Sequence, residues 1–148
     1  KIAAKVDKVD HEYFETRIEP LLDHPLIDYI GEIGEHQKSK FLGNARALLF
    51  PIDWPEPFGL VMIEAMACGT PVIAWNRGSV PEVIDHGVTG YIVDSEEEAL
   101  AAVSNIERID RSTVRAVFER RFAARTMARS YLDLYARLLK NVPLLRAS

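Results

Sequence analysis

The stretch PEPFGLVMIEAMACGTPVIA, Pro55 to Ala74, decides the fold. It reads as a loop, a helix, a sharp stop and a buried strand. Pro57 fixes φ near the helical value and lacks the donor that a first turn leaves unpaired, so a helix can start there. Leu60 to Ala67 is rich in good helix formers. Gly69 suits a left-handed cap, and Pro71 prevents the helix from continuing. Val72, Ile73 and Ala74 form a short apolar run, as expected of a strand covered on both faces.

Two carboxylates stand in or beside that helix, Glu56 just ahead of it and Glu64 inside it. The neighbours of Glu64 at helical spacing are Leu60, Val61, Ala67 and Cys68, and none of these side chains pairs with a carboxylate. A carboxylate on an apolar face is costly unless something hydrogen-bonds it. Either Glu64 is exposed or bonded to nearby backbone, or it has a ligand to meet. For Glu56 the helix dipole alone is explanation enough, since acidic residues are favourable near helix starts. Phe58, Gly59, Leu60 and Val61 carry the N–H groups that a helix start leaves open, and Gly59 lets a ligand approach them. Every helix has such a start, so this feature is weak by itself.

Together these residues say more. E-P-F-G-L-x-x-x-E-A-M-A-C-G-T-P-V-I-A resembles the signature of the retaining glycosyltransferases of family 4, the glycosyl transferases group 1, with Glu56 and Glu64 matching their E-x7-E pair. Downstream, R-G-S-V-P-E-V-I-D-H-G-V-T-G-Y-I-V, Arg77 to Val93, resembles the G-G-x-P-E-x-I-x-x-G-x-x-G-x-L segment of the same family. The resemblance runs from about Lys1 to about Leu139, with both motifs in the right order.

The 148 residues make one domain's worth of chain. Such a length buries roughly 68–70% of its unfolded surface, enough for a core of its own. A formal charge of −4 gives no reason to expect nucleic acid or an anionic membrane as the main partner. The single cysteine, Cys68, cannot form an internal disulfide and fits a cytoplasmic protein. It is expected to be a small buried residue. No run of eighteen apolar residues is present to span a bilayer. Lys1 opens directly into strand-like sequence, so the chain reads as starting part-way through a domain.

In chain order, Lys1 to Val6 reads as a strand, His11 to His24 as a helix that Pro20 kinks or shortens, and Leu26 to Ile33 as a strand. Glu35 to Asn44 reads as a helix and Ala47 to Pro51 as a buried strand. After the central helix and the strand Pro71 to Trp75, Val80 to His86 makes a short helix, and Thr89 to Val93 a last strand. Ser95 and Glu98 form a capping box for a helix to Ile106. Further helices run from Arg111 to Arg121 and from Ala124 to Lys140. Strand and helix alternate five times, which predicts an α/β, Rossmann-like parallel sheet with helices on both faces. Ligands sit beyond the carboxyl ends of such strands. Four loops are expected there: Asp7 to Asp10, Gly31 to His36, Asp53 to Phe58 and Asn76 to Ser79.

The final helix, residues 124–140, is amphipathic. Met127, Tyr131, Leu134, Tyr135 and Leu138 form one stripe, which either packs on its own domain or meets another surface. The basic residues Arg111, Arg115, Arg120, Arg121, Arg125, Arg129, Arg137 and Lys140 read as solvated faces, with membrane contact unsupported beyond charge. His11, His24, His36 and His86 show no metal-ligand spacing. His86 suits a helix-end cap, and His36 falls in a ligand-edge loop.

The resemblance implies more than the residues alone. It implies a GT-B fold of two Rossmann-like domains, with residues 1–148 forming the C-terminal, donor-binding one, its first strand missing. It implies transfer of a sugar from a nucleoside diphosphate sugar with retention at the anomeric carbon, no cofactor and no bound metal. Glu64 would bind the ribose hydroxyls, and Glu56 would be catalytic, reaching the donor sugar beside the reacting carbon. Phe58, Gly59, Leu60, Val61 and Gly78 would complete the donor site. The partner would be the N-terminal acceptor domain of the same protein. The family's phosphate-gripping Arg and Lys precede the start of this chain. Ser79 stands where a second glycine is common, and a serine there still offers its N–H. The alternatives are a sugar-nucleotide epimerase of the same fold, which lacks the E-P-F-G-L-x-x-x-E arrangement, and a non-catalytic Rossmann-like binding module.

Overall fold

In the computed structural model, which describes residues 1–141, the apolar run after Gly69 is the middle strand of a parallel sheet. Strands β1 (Leu48–Phe50), β2 (Val72–Trp75) and β3 (Gly90–Val93) lie side by side in that order. Leu48 pairs with Val72 and Val72 with Gly90. Val72, Ile73 and Ala74 are all buried. Successive strand residues point to opposite faces, so both faces of β2 are covered, as a parallel sheet requires. The accompanying helices are α1 (Glu35–Gly43), α2 (Leu60–Ala67), α3 (Val80–Val83), α4 (Glu96–Asn105), α5 (Arg111–Arg121) and α6 (Ala124–Asn141).

Helix α2 packs on β1, β2 and α5. Met62, Ala65 and Met66 on α2 and Val114 and Val117 on α5 are buried between them. The larger side chains contribute roughly 1.5–3 kcal/mol each on burial. The helix ends as the sequence predicts. Gly69 N–H donates to Met66 O and Thr70 N–H to Ala65 O, both at 2.9 Å, with Gly69 at φ 69°. That pair of bonds is the Schellman stop, and Pro71 follows it. Helix α4 starts on Ser95, whose Oγ accepts from Glu98 N–H at 3.2 Å. The Glu98 carboxylate reaches back to Asp94 N–H at 2.8 Å, one residue earlier than a capping box predicts.

Arg111, Arg115 and Arg120 of α5 are exposed, as a solvated face requires, but three of the helix's arginines also reach main-chain carbonyls. Arg111 donates to Ala45 O, Gly43 O and Thr70 Oγ1 at 2.7–2.8 Å. Arg115 donates to Ala67 O, and Arg121 to Glu82 O and to Asp85 Oδ1, the last at 2.9 Å. Each meets the open carbonyls near the end of a different helix, where a cation is also favoured by the dipole.

The described chain divides into two compact units, Lys1–Phe41 and Leu42 onward. In the first, the expected strands Lys1 to Val6 and Leu26 to Ile33 shrink to one parallel bridge between Ile2 and Tyr29. Ile2 N–H donates to Asp28 O and Ile30 N–H to Ile2 O, and no further rung forms. Lysines and alanines leave Lys1 to Val6 little apolar surface to bury, so three strands replace the predicted five. The helix expected from His11 to His24 ends at Leu22. It passes through a π-turn at Phe14–Ile18, where Glu19 N–H reaches Phe14 O, just ahead of Pro20. Proline excludes the carbonyl four residues back, which accounts for the looser turn.

Helix α3 stops at Val83, short of His86. His86 therefore caps nothing: its Nδ1 accepts from Ile92 N–H at 3.1 Å, and its ring meets Tyr91 edge-on. Cys68 is half-buried. The apolar stripe of α6 is not packed away, since Met127, Tyr131, Leu134, Tyr135 and Leu138 are 44–56% exposed. The Lys140 side chain and residues 142–148 lie outside the described residues. Among the described residues no helix is long and apolar enough to cross a membrane.

Asp110 caps α5. Its carboxylate accepts from the Ser112 and Thr113 hydroxyls, both at 2.6 Å, and from their N–H groups at 3.2 and 2.9 Å. Those bonds, the hydroxyls first, lower its pKa from 3.8 to about 2. A lowered folded-state pKa adds stability that is complete above the unfolded value and fades as pH falls through the folded one. Asp110→Ala is therefore expected to lower the thermal midpoint at pH 7. That deficit should shrink between about pH 4 and pH 2 as the parent carboxylate protonates. Thermal unfolding of both chains followed across pH by circular dichroism checks it.

Candidate functional site

Loops 51–59 and 76–79 leave the carboxyl ends of β1 and β2, the edge where the sequence places a ligand site. They are knit together through the backbone. Ser79 N–H donates to Glu56 O at 3.0 Å. Gly78, at φ 52°, lies so close that a Cβ there would be 2.4 Å from Glu56 O and 2.5 Å from Glu56 N. Only glycine fits that contact. Asp53 and Arg77, one on each loop, pair at 3.3 Å.

Glu56 is half-buried at the centre. Its Oε1 accepts from Gly59 N–H and its Oε2 from the Trp54 indole Nε1–H, each at 3.1 Å. The helix start differs from expectation. Pro57 does not open α2; the helix begins at Leu60, with Gly59 as its N-cap in the left-handed region at φ 72°. Gly59 has no side chain to cap the helix, and Glu56 holds the N–H of Gly59 itself rather than an N–H of the first turn. The Gly59 N–H is thus spent on Glu56. Among the described residues no acceptor is found for the N–H groups of Phe58, Leu60 and Val61. Phe58 rests edge-on against Phe122 at 6.4 Å.

The Ser79 N–H, expected to be on offer, is likewise spent on Glu56 O. The Ser79 residue is 7% exposed, and its Oγ has no partner among the described residues. Glu64 is half-buried on α2, one turn beyond the helix start, and is not without a partner of its own. Sequence reasoning weighed only its neighbours on the helix. It also missed Trp54 and Asp53, for which the one signal was their place in the loop.

The other two loops expected at the ligand edge, Asp7 to Asp10 and Gly31 to His36, belong to the first unit. His36 is exposed in the first turn of α1. Among the described residues no three His, Cys, Asp or Glu side chains cluster to hold a metal. A cavity of about 590 Å³ opens at the amino ends of the strands, between Arg46, Pro71 and the segment Ile106 to Arg111. Neither motif carboxylate lines it, and Pro71 is the one motif residue it touches. Arg46 is paired there with Glu107 at 2.6 Å, and Asp110 and Arg111 are committed to the helix ends described above.

Residues 7–117 match the model of the family described as glycosyl transferases group 1. The chain belongs to this family. A Klebsiella pneumoniae protein known as an uncharacterised 41.2 kDa protein of the cps region is 32% identical over 84% of this chain and 35% of its own. A probable sucrose-phosphate synthase of Thermosipho melanesiensis is 39% identical over 53% of this chain and 19% of its own. The chain therefore spans only about a fifth to a third of these relatives' length. Among solved structures, Anabaena HepE in complex with UDP and glucose superposes with a TM-score of 0.76 at 23% identity, covering 91% of this chain and 39% of that one. A glycosyltransferase from Rickettsia africae gives 0.76 at 23%, over 95% and 40%. These likenesses establish the Rossmann-like fold of this glycosyltransferase group-1 chain.

Gly78→Ala and Gly87→Ala separate the contact from the backbone angle. Gly87 is also left-handed, at φ 77°, but a Cβ there meets nothing within 4 Å. An alanine in that region costs about 1–3 kcal/mol. Gly87→Ala is expected to show that cost alone in urea unfolding. Gly78→Ala is expected to exceed it, because the Pro55–Glu56 backbone must also move. Equal losses in the two variants would remove Gly78 from its role in joining the loops.

Proposed function

We propose that this chain is the C-terminal, donor-binding domain of a retaining, family 4 glycosyltransferase with the GT-B fold. The protein would transfer a sugar from a nucleoside diphosphate sugar to an acceptor held by its N-terminal domain. The observation that carries the reading is the meeting of the two motif stretches, with Glu56 fixed beside the open N–H groups of α2. A carboxylate that accepts sugar hydroxyls and a helix start that meets phosphate oxygens are the two halves of a sugar-diphosphate site.

In this reading Glu64 accepts the ribose hydroxyls and Glu56 those of the donor sugar beside the anomeric carbon. The N–H groups of Phe58, Leu60 and Val61 face the diphosphate. Gly59 contributes close approach, its own N–H being spent on Glu56. Gly78 holds the turn in place. The bond from the anomeric carbon to the diphosphate breaks and one to the acceptor oxygen forms. Charge growing on the diphosphate falls where oriented N–H groups stabilise it most. That the similarly folded Anabaena protein holds UDP-glucose supports a nucleotide sugar as donor. A cytoplasmic setting and the absence of any cofactor belong to the same proposal.

Glu64→Ala in the full-length protein tests the ribose assignment. Charge-assisted hydrogen bonds contribute about 1.5–3 kcal/mol each, so losing the pair should weaken nucleoside diphosphate binding by about ten-fold or more. Calorimetric affinity equal to that of the parent would refute the assignment.

The metal question is tested separately. Asp53 is committed to Arg77, and Glu56 to Trp54 and Gly59, which leaves this loop without a ready pair of oxygen ligands. Transfer by the full-length protein is expected to persist in EDTA. Loss with chelator, restored by Mg²⁺ or Mn²⁺, would contradict this.

A further inference from the structure

We infer that Trp54 is a positioning residue for Glu56: its indole N–H fixes the carboxylate that meets the donor sugar. The inference rests on the donor-site reading of Glu56 given above. It adds a residue that neither motif contains.

The loop is stiff before any side chain is considered. Trp54 and Glu56 each precede a proline, which confines both to extended backbone. Glu56 N–H donates to Trp54 O at 2.8 Å, closing a tight turn around Pro55. The Glu56 carbonyl is held by Ser79 N–H at 3.0 Å. The main chain of Glu56 therefore has one position. Its side chain still has torsions to set, and two donors set them. Gly59 N–H takes Oε1, and Trp54 Nε1–H takes Oε2.

The nature of those donors matters. An indole N–H donates and never accepts, so it orients a carboxylate without competing for a sugar hydroxyl's proton. Both donors are neutral, and among the described residues Glu56 is in no ion pair. The nearby cation, Arg77, is turned to Asp53. Glu56 is thus held against rotation without a cation paired to it. A fixed carboxylate with no paired cation suits a site where positive charge develops on a sugar ring. Packing does not explain the indole's placement, since Trp54 is 57% exposed. A tryptophan so exposed can meet water instead, so its bond is not forced by burial.

Trp54→Phe keeps an aromatic ring and deletes the donor. In the full-length protein it is expected to lower kcat about ten-fold, the worth of one hydrogen bond to a charged group. KM for the nucleotide sugar should stay within about two-fold, since most of the binding is made elsewhere. The thermal midpoint should not move. Glu56→Ala is run beside it. If Glu56→Ala abolishes transfer while Trp54→Phe keeps the parent kcat, the positioning role is wrong and the donor-site reading stands. If Glu56→Ala itself transfers normally, the donor-site reading fails and takes this inference with it. A Trp54→Phe variant that loses stability and kcat together points to a structural role and overturns the inference. An NMR readout avoids the variant's folding altogether. Trp54 and Trp75 give two indole N–H signals. Glu56→Ala should shift that of Trp54 and leave that of Trp75, and an unmoved Trp54 signal would also overturn the inference.

Discussion

Arg111, Arg115 and Arg121 stand on one helix, and each meets carbonyl groups at the carboxyl end of a different one. Arg111 takes Gly43 O and Ala45 O after α1, Arg115 takes Ala67 O at the end of α2, and Arg121 takes Glu82 O at the end of α3. Helices of eight and four residues, as α2 and α3 are, do not hold together alone in water. Their last carbonyls would need water or a cap. Supplying guanidinium donors there fixes the far ends of the two helices whose near ends carry the site. The same helix extends its influence forward, since Arg121 lies over the Phe122 ring at 4.7 Å and Phe122 supports Phe58. Helix α5 is thus a scaffold for the ligand edge, although no residue on it belongs to either motif.

On that scaffold the site depends on a backbone contact. Glu56 and Gly78 are far apart in the chain, yet their main chains touch more closely than any side chain would allow. This brings the loop after β1 and the loop after β2 into one surface. It also explains why the carboxylate there is so well determined. Its main chain is held on the carbonyl side by Ser79, and its side chain is held by one donor at each oxygen. Ordering paid during folding need not be paid again when a ligand arrives, and positioning of this kind supports catalysis.

Much of this was legible in the sequence, and the limit has a physical cause. Helix α2 and strand β2 could be read because propensity, the Gly69 and Pro71 stop, and the apolar run all act locally. The E-x7-E pair could be read as a pair. The strand count could not. Lys1 to Val6 looks strand-like by alternation, but a strand also needs a partner and a face to bury, and Ile2 finds only a single rung at Tyr29. The partners of Arg111, Arg115 and Arg121 are not legible in the sequence, because they are main-chain carbonyls, which every residue has and no residue type announces. Gly59 was read as clearance for a ligand. Its left-handed angle and its bond to Glu56 place it first in the architecture of the helix start.

Ser79 shows where local rules give way. Two other polar residues are fully buried, and both are satisfied: Thr70 Oγ1 donates to Leu42 O, and Thr89 Oγ1 accepts from Asp85 N–H. Ser79 Oγ is equally enclosed and unpaired among the described residues. A buried hydroxyl without a partner costs about 1–3 kcal/mol, and a glycine or alanine at the position would avoid that cost. The left-handed angles of Gly59 and Gly78 lie in the same two loops. An unpaired buried hydroxyl, where the other buried polar side chains are satisfied, is the mark of a region shaped by something other than stability. Ser79 stands where Glu56 meets the turn that holds it.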